Sequence, residues 1–167
     1  ESIVMPVSAR LIRIYPHAHY LGKDMQIFVD LSDGPRQPLL HIPDWDFNWQ
    51  SDYRFEDPPR LPAQSRITMR YIYDNSAENP RNPFSPPRRV VGGFNSSDEM
   101  GEANLQFLLD DFSDFKAFQL AQIRYEAEAI GGAAPALYLR GTKLLHAGRD
   151  AQAHELFALA LKHDPQF

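Results

Sequence analysis

The chain has 167 residues, 43% hydrophobic and 12% aromatic, and carries a formal net charge of −5. That length suits one ordinary domain plus a small appendage, and that apolar content excludes global disorder. The acidic balance argues against a nucleic-acid binder or a polybasic membrane module, no apolar run approaches the ~20 residues of a bilayer span, and the absence of cysteine excludes disulfides, thiolate metal sites and thiol catalysis.

Residues 1–110 read as all-β. Leu11, Ile12 and Ile14 form a strand that leads through Tyr15-Pro16 to a histidine pair. Met25, Ile27, Val29 and Leu31 alternate with mostly polar neighbours, and Ser32-Asp33-Gly34-Pro35 supplies a turn. Trp45, Phe47 and Trp49 alternate with Asp46, Asn48 and Gln50, which predicts a strand with one aromatic face, continued nearby by Tyr53 and Phe55. Ile67, Met69, Tyr71 and Tyr73 form the apolar side of a further strand that stops at Asp74-Asn75. Pro80, Pro83, Pro86 and Pro87 make residues 79–89 a surface loop, because prolines at that density do not fit a central strand. Leu105, Phe107 and Leu109 line one face of a last strand. Short strands separated by proline- and glycine-containing turns predict a β-sandwich.

The character then changes. Residues 111–133 read as a connecting helix, capped by Ser113 or Asp114 and ended by Gly131-Gly132. Its apolar residues fall on two stripes, Phe115, Phe118 and Tyr125 on one and Leu120, Ile123 and Ala127 on the other. Residues 134–167 have the length and pattern of a single tetratricopeptide repeat, with Leu137, Gly141, Leu144, Gly148, Ala153, Phe157, Ala160 and Pro165 at the expected positions. Gly141 and Ala153 are small where two helices would cross, and Phe157 fills the gap between them. Arg140 departs from the pattern, and a plain helical hairpin is the other reading. A lone repeat cannot bury both faces, so the preceding helix or further repeats must cover one.

The chemistry centres on His17-Ala18-His19. Residues i and i+2 of a strand point to one face, so both imidazoles can reach one metal ion. A third ligand is needed. His41 sits between Leu40 and Ile42 in a strand pattern, and His146, His154 and His163 fall in the helical tail. Met100 is better placed, after Gly92-Gly93 and an acidic turn and just before the last strand. Thioethers are soft and select copper, particularly Cu(I), while imidazole suits both oxidation states. Two histidines and a methionine leave a coordination position open for dioxygen.

The two segments together resemble the C-terminal domain of the type II copper, ascorbate-dependent monooxygenases, the family of peptidylglycine α-hydroxylating monooxygenase and dopamine β-hydroxylase. A His-x-His-His-Leu-Gly-Lys motif is matched by His17, His19, Leu21, Gly22 and Lys23, and a Gly-Gly-x-x-Ser-Ser-Asp-Glu-Met motif by Gly92, Gly93, Ser96, Ser97, Asp98, Glu99 and Met100. The likeness covers roughly residues 8–110. It implies a mainly β, jelly-roll-like sandwich with a C-terminal α-helical appendage. It also implies copper at His17, His19 and Met100, dioxygen-dependent hydroxylation of a substrate C–H, ascorbate as electron donor and an extracytoplasmic location. A preceding N-terminal domain with a second, electron-transferring copper is implied as a partner. The chain begins at Glu1 without that domain or a visible signal peptide, so a processed protein or an excised piece of a longer one is expected, inactive as this fragment because the electron-transferring copper domain is missing.

The resemblance places Tyr15 and Asn104 at substrate-facing positions, Tyr15 where the peptidylglycine enzyme has an arginine and Asn104 two residues out of step with a family asparagine. Both departures argue against a peptidylglycine substrate. Two other readings compete. One is a non-catalytic β-platform whose repeat recruits a protein partner, with the 79–89 loop and exposed aromatics as contact surface. The other is a structural zinc site, although zinc rarely uses methionine.

Overall fold

Alternation of buried and exposed side chains builds the first two thirds of the chain. In a computed structural model, residues 2–130 and 132–166 are described, with backbone alone for 126–130. Eight strands come first: β1 (Ser2–Val4), β2 (Ala9–Ala18), β3 (Gly22–Asp30), β4 (Arg36–Ile42), β5 (Tyr53–Arg54), β6 (Arg60–Leu61), β7 (Arg66–Tyr73) and β8 (Gly101–Leu109). A short 3-10 turn (Phe112–Asp114) and helices α1 (Phe115–Ile130), α2 (Ala133–His146) and α3 (Asp150–His163) follow. The chain divides into two units, Glu1–Phe112 and Ser113–Phe167.

The first unit holds two antiparallel sheets. One has the order β1-β7-β3-β4. In the other, β2 pairs with β8 along nearly its whole length, and Ala9 and Ile14 also pair with β6 and β5. A strand has two edges, so β5 and β6 must share the edge of β2 opposite β8. The inner faces meet where Ala18 of β2 packs with Met25 of β3 and Trp45, flanked by Ile42 and Tyr71. The sheets come so close at Gly101 that a Cβ there would overlap the Tyr71 and Tyr73 side chains. Beside it, the Tyr71 hydroxyl donates to the Glu102 carbonyl at 2.6 Å.

The β2–β8 register slips between Leu11, opposite Phe107, and Arg13, opposite Gln106. Ile12 is therefore an extra residue, a β-bulge. Before it the buried positions of β2 are Ala9 and Leu11, and after it they are Ile14, Pro16 and Ala18. The inner face changes from odd to even numbers. Tyr15 and His17 are thereby turned to the outer face.

The expected strands at β2, β3, β7 and β8 are present, and residues 79–89 form an irregular loop. Residues 45–50 correct the expectation of a strand: they are a loop. A shared aromatic face would give Trp45 and Trp49 similar burial, yet Trp45 is 1% exposed and Trp49 75%. Asp46 drives the turn. Its Oδ1 accepts from the Asn48 backbone N–H at 2.8 Å and its carbonyl from that of Trp49 at 2.9 Å. Such an Asx turn offers the backbone an alternative to a ladder. Trp45 is instead a plug in the core, its indole N–H donating to the Ala18 carbonyl at 3.1 Å.

In the second unit α2 and α3 form a helical hairpin. Gly148 adopts φ 69°, and its N–H and that of Arg149 bond the Leu145 and Leu144 carbonyls at 3.0 and 2.9 Å. This is the Schellman termination that favours glycine just past a helix end. Ala134, Leu137 and Ala160 form the buried seam, and Ile123 of α1 packs on it, so α1 covers one side of the hairpin. Arg140, where the repeat pattern is broken, donates to Gln122 Oε1 at 3.0 Å. Phe115 and Leu120 of α1 are exposed, whereas Gly131 and the Ala127 side chain fall outside the described residues.

Gly141 is buried, and a Cβ on it would fall inside the van der Waals radius of the Phe157 ring. Propensity alone makes Gly→Ala in a helix interior worth about 1 kcal/mol of stabilisation, while overpacking costs about 1–3 kcal/mol. Gly141→Ala is therefore expected to destabilise the hairpin, and Gly141→Ala with Phe157→Leu to recover the loss. Denaturant melts of the chain and both variants check the sign.

Candidate metal centre

The bulge in β2 sets the stage for the histidines. Beyond it, Tyr15 lies opposite Asn104 and His17 opposite Glu102, all four on the outer face. The ladder ends with Ala18 opposite Gly101. His19 follows the last residue of that rung on β2, and Met100 precedes its partner on β8. The chain thus brings His19 and Met100 to the same end of the sheet, one residue beyond a shared rung.

The imidazoles of His17 and His19 meet edge to face, with ring centroids 5.1 Å apart. His19 is 5% exposed and His17 half-buried. The Phe47 ring stands beside both, at 6.3 Å from His17 and 5.9 Å from His19, and is braced by Tyr20 at 4.6 Å.

Each imidazole has one nitrogen engaged. His17 Nδ1 lies 2.7 Å from Gln50 Oε1, and His19 Nδ1 lies 3.2 Å from the Asp98 carbonyl oxygen. Both partners are oxygen acceptors, so Nδ1 carries a proton in each ring, and in the neutral imidazole the lone pair is on Nε2. An outer acceptor that fixes the tautomer is the usual support of a metal-binding histidine.

The Asp98 carbonyl belongs to the loop that carries Met100. Gly93 N–H bonds the Glu99 carbonyl at 3.1 Å, Glu99 N–H bonds that of Val91 at 2.9 Å, and Asp98 Oδ2 accepts from the Asn95 backbone and side-chain N–H groups at 3.0 and 2.8 Å. A Cβ on Gly93 would collide with the Asp98 carboxylate, so the loop closes only around a glycine there. His19 is tied through Asp98 to a self-braced loop, with Met100 half-buried at its end.

The other histidines lie elsewhere. His41 on β4 pairs with Asp24 at 2.7 Å, while His146, His154 and His163 are exposed on α2 and α3. Among the described residues no three His, Cys, Asp or Glu side chains cluster as a metal site. Met100 lies at the same end of the sheet as His19, at the close of the loop whose Asp98 carbonyl meets that histidine. Sequence reasoning missed Gln50, Phe47 and the Asp98 carbonyl. A carbonyl has no residue-type signature, and Gln50 fits the polar side of the expected strand.

The turn after the histidines is held by Lys23, whose Nζ donates to Asp74 Oδ2 at 2.9 Å, and by backbone bonds from Asp74 to Leu21 and from Trp45 to Lys23, both 2.8 Å. Lys23 and Asp74 line a cavity of about 280 Å³ with Asp44 and Arg81, themselves paired at 2.9 Å. No helix among the described residues is long and apolar enough to cross a membrane. No family model matches the chain, and no curated protein matches it.

The bond from Lys23, followed by those from Ser76, lowers the Asp74 pKa from 3.8 to about 2. A carboxyl depressed in the folded state contributes stability that is complete well above 3.8 and is lost as pH falls through about 2. Lys23→Met is expected to bring the Asp74 titration, followed by carboxyl NMR, back toward 3.8 and to flatten the acid limb of stability between those pH values.

Proposed function

We propose that the first unit is the copper-binding domain of a larger monooxygenase-like protein, with His17, His19 and Met100 as ligands. The observation that carries this reading is the histidine pair, with both Nδ1 atoms committed to acceptors and the rings 5.1 Å apart. A ring centre lies about 3 Å from an ion bound through nitrogen at about 2.0 Å, so two imidazoles on one ion at a near-tetrahedral angle sit about 5 Å apart. The spacing fits one shared ion, and two imidazoles with a thioether suit copper.

When bound, copper would supply dioxygen activation for hydroxylation of a substrate C–H, drawing electrons from an ascorbate-like donor through a separate copper domain. The residues of this chain have simpler tasks. His17 and His19 would ligate through Nε2, Met100 would offer a ligand that favours the reduced ion, and Phe47 would shield one side of the rings from water. Tyr15 and Asn104, cross-strand partners on the same outer face as His17, would meet a substrate. The jelly-roll form of the sandwich, the tetratricopeptide character of the hairpin and an extracytoplasmic location belong to the same proposal.

A second reading keeps the scaffold without the chemistry. Tyr138 and Leu139 of α2 and Leu161 of α3 are exposed, which favours a role for the hairpin in binding a protein. The two readings part at the metal.

Anaerobic titration with Cu(I) is expected to give about one tight equivalent, and His17→Ala and Met100→Ala each to weaken it by about tenfold or more. Zn(II) affinity should be untouched by Met100→Ala. Absence of a tight equivalent, or Cu(I) binding indifferent to both substitutions, contradicts the copper reading and leaves the second.

A further inference from the structure

The loop at residues 46–50 does more than fill the space beside the histidines. Gln50 makes two hydrogen bonds of opposite sense: its Nε2 donates to the Phe47 carbonyl at 2.8 Å, and its Oε1 faces His17 Nδ1 at 2.7 Å. A carbonyl oxygen can only accept, so the Phe47 carbonyl decides which end of the Gln50 amide is which. Turned over, the amide would set oxygen against oxygen. The oxygen is thereby fixed toward His17, and His17 must donate from Nδ1.

The Phe47 carbonyl lies within the turn that Asp46 imposes, in which the Asn48 N–H donates to Asp46 Oδ1 and the Trp49 N–H to the Asp46 carbonyl. The same turn delivers the Phe47 ring to the open side of both imidazoles. One short loop therefore sets the tautomer of His17 and limits the tilt of its ring. His19 is set separately, by the Asp98 carbonyl of the methionine loop.

We infer that Gln50 is a positioning residue for the metal centre, the group that leaves His17 Nε2 free to ligate. It acts through His17 and touches neither metal nor substrate. The value of this arrangement for binding copper rests on the proposed function, but the tautomer does not. Gln50→Leu removes the acceptor at similar size, and Gln50→Glu keeps an acceptor for His17 while giving up the bond to the Phe47 carbonyl.

The test is long-range ¹H–¹⁵N correlation of the histidine side chains on the metal-free full chain at alkaline pH. The expected result is an Nδ1–H form at His17 in the parent protein, a shift toward Nε2–H in Gln50→Leu, and return of the Nδ1–H form in Gln50→Glu, with His19 unchanged throughout. Cu(I) affinity should fall about 10–100-fold in Gln50→Leu and recover in Gln50→Glu. An unchanged His17 tautomer in Gln50→Leu overturns the proposal, as does a His19 signal that moves in step with His17, which reports general loosening. If the tautomer shifts as expected but the parent protein binds no copper, the positioning role stands and the copper reading falls.

Discussion

The bulge at Ile12 is the constraint on which the first unit depends. A strand alternates its faces with period two, so β2 without the bulge would carry Arg13, Tyr15 and His17 inward with Ala9 and Leu11. A charge, a phenol and an imidazole would then sit where Ile14, Pro16 and Ala18 now pack. One extra residue exchanges the two sets. It completes the core at the Ala18–Met25–Trp45 contact and leaves a polar outer face whose end carries the histidines. Core packing and site exposure share one cause.

Two loops finish what the bulge begins. The Asp46 turn sends Trp45 into the core, Phe47 against the imidazoles and Gln50 to His17. The glycine loop holds itself together through Asp98 and offers that residue's carbonyl to His19 while carrying Met100. His17 sits on the ladder and His19 one residue beyond it, and each takes its orientation from a loop. That division matches the general pattern in which a regular scaffold supplies position and irregular segments supply function. The Lys23–Asp74 pair and the Trp45 plug fasten the turn between β2 and β3 that follows His19.

Much of this was legible in the residues. β3 buries one face, β7 and β8 cover one face only partly, and the alternation of apolar and polar residues marks all three. The histidine pair was legible because its i, i+2 spacing fixes a common face whichever way that face points. The direction was not legible, since nothing in Leu11-Ile12-Arg13 announces a bulge. In the Trp45–Trp49 segment the alternating aromatics imitate a strand, and Asp46 fits the polar side of that strand as well as it fits a turn. In the tail, Gly141 and Phe157 spelled out a close helix crossing, and the crossing is there. The groups that orient the imidazoles were hidden, since one is a main-chain carbonyl and the other a glutamine whose role depends on a distant turn.

In the proposed function, three side chains from two distant segments would hold one soft metal ion. X-ray absorption at the copper edge of the Cu(I)-loaded chain reads those ligands directly. Imidazole scattering with one sulfur neighbour at about 2.3 Å, a direct metal–sulfur bond, is expected. The sulfur should vanish in Met100→Ala while the imidazole signal remains. A spectrum without sulfur in the parent protein, or a sulfur that survives Met100→Ala, would contradict that ligand set.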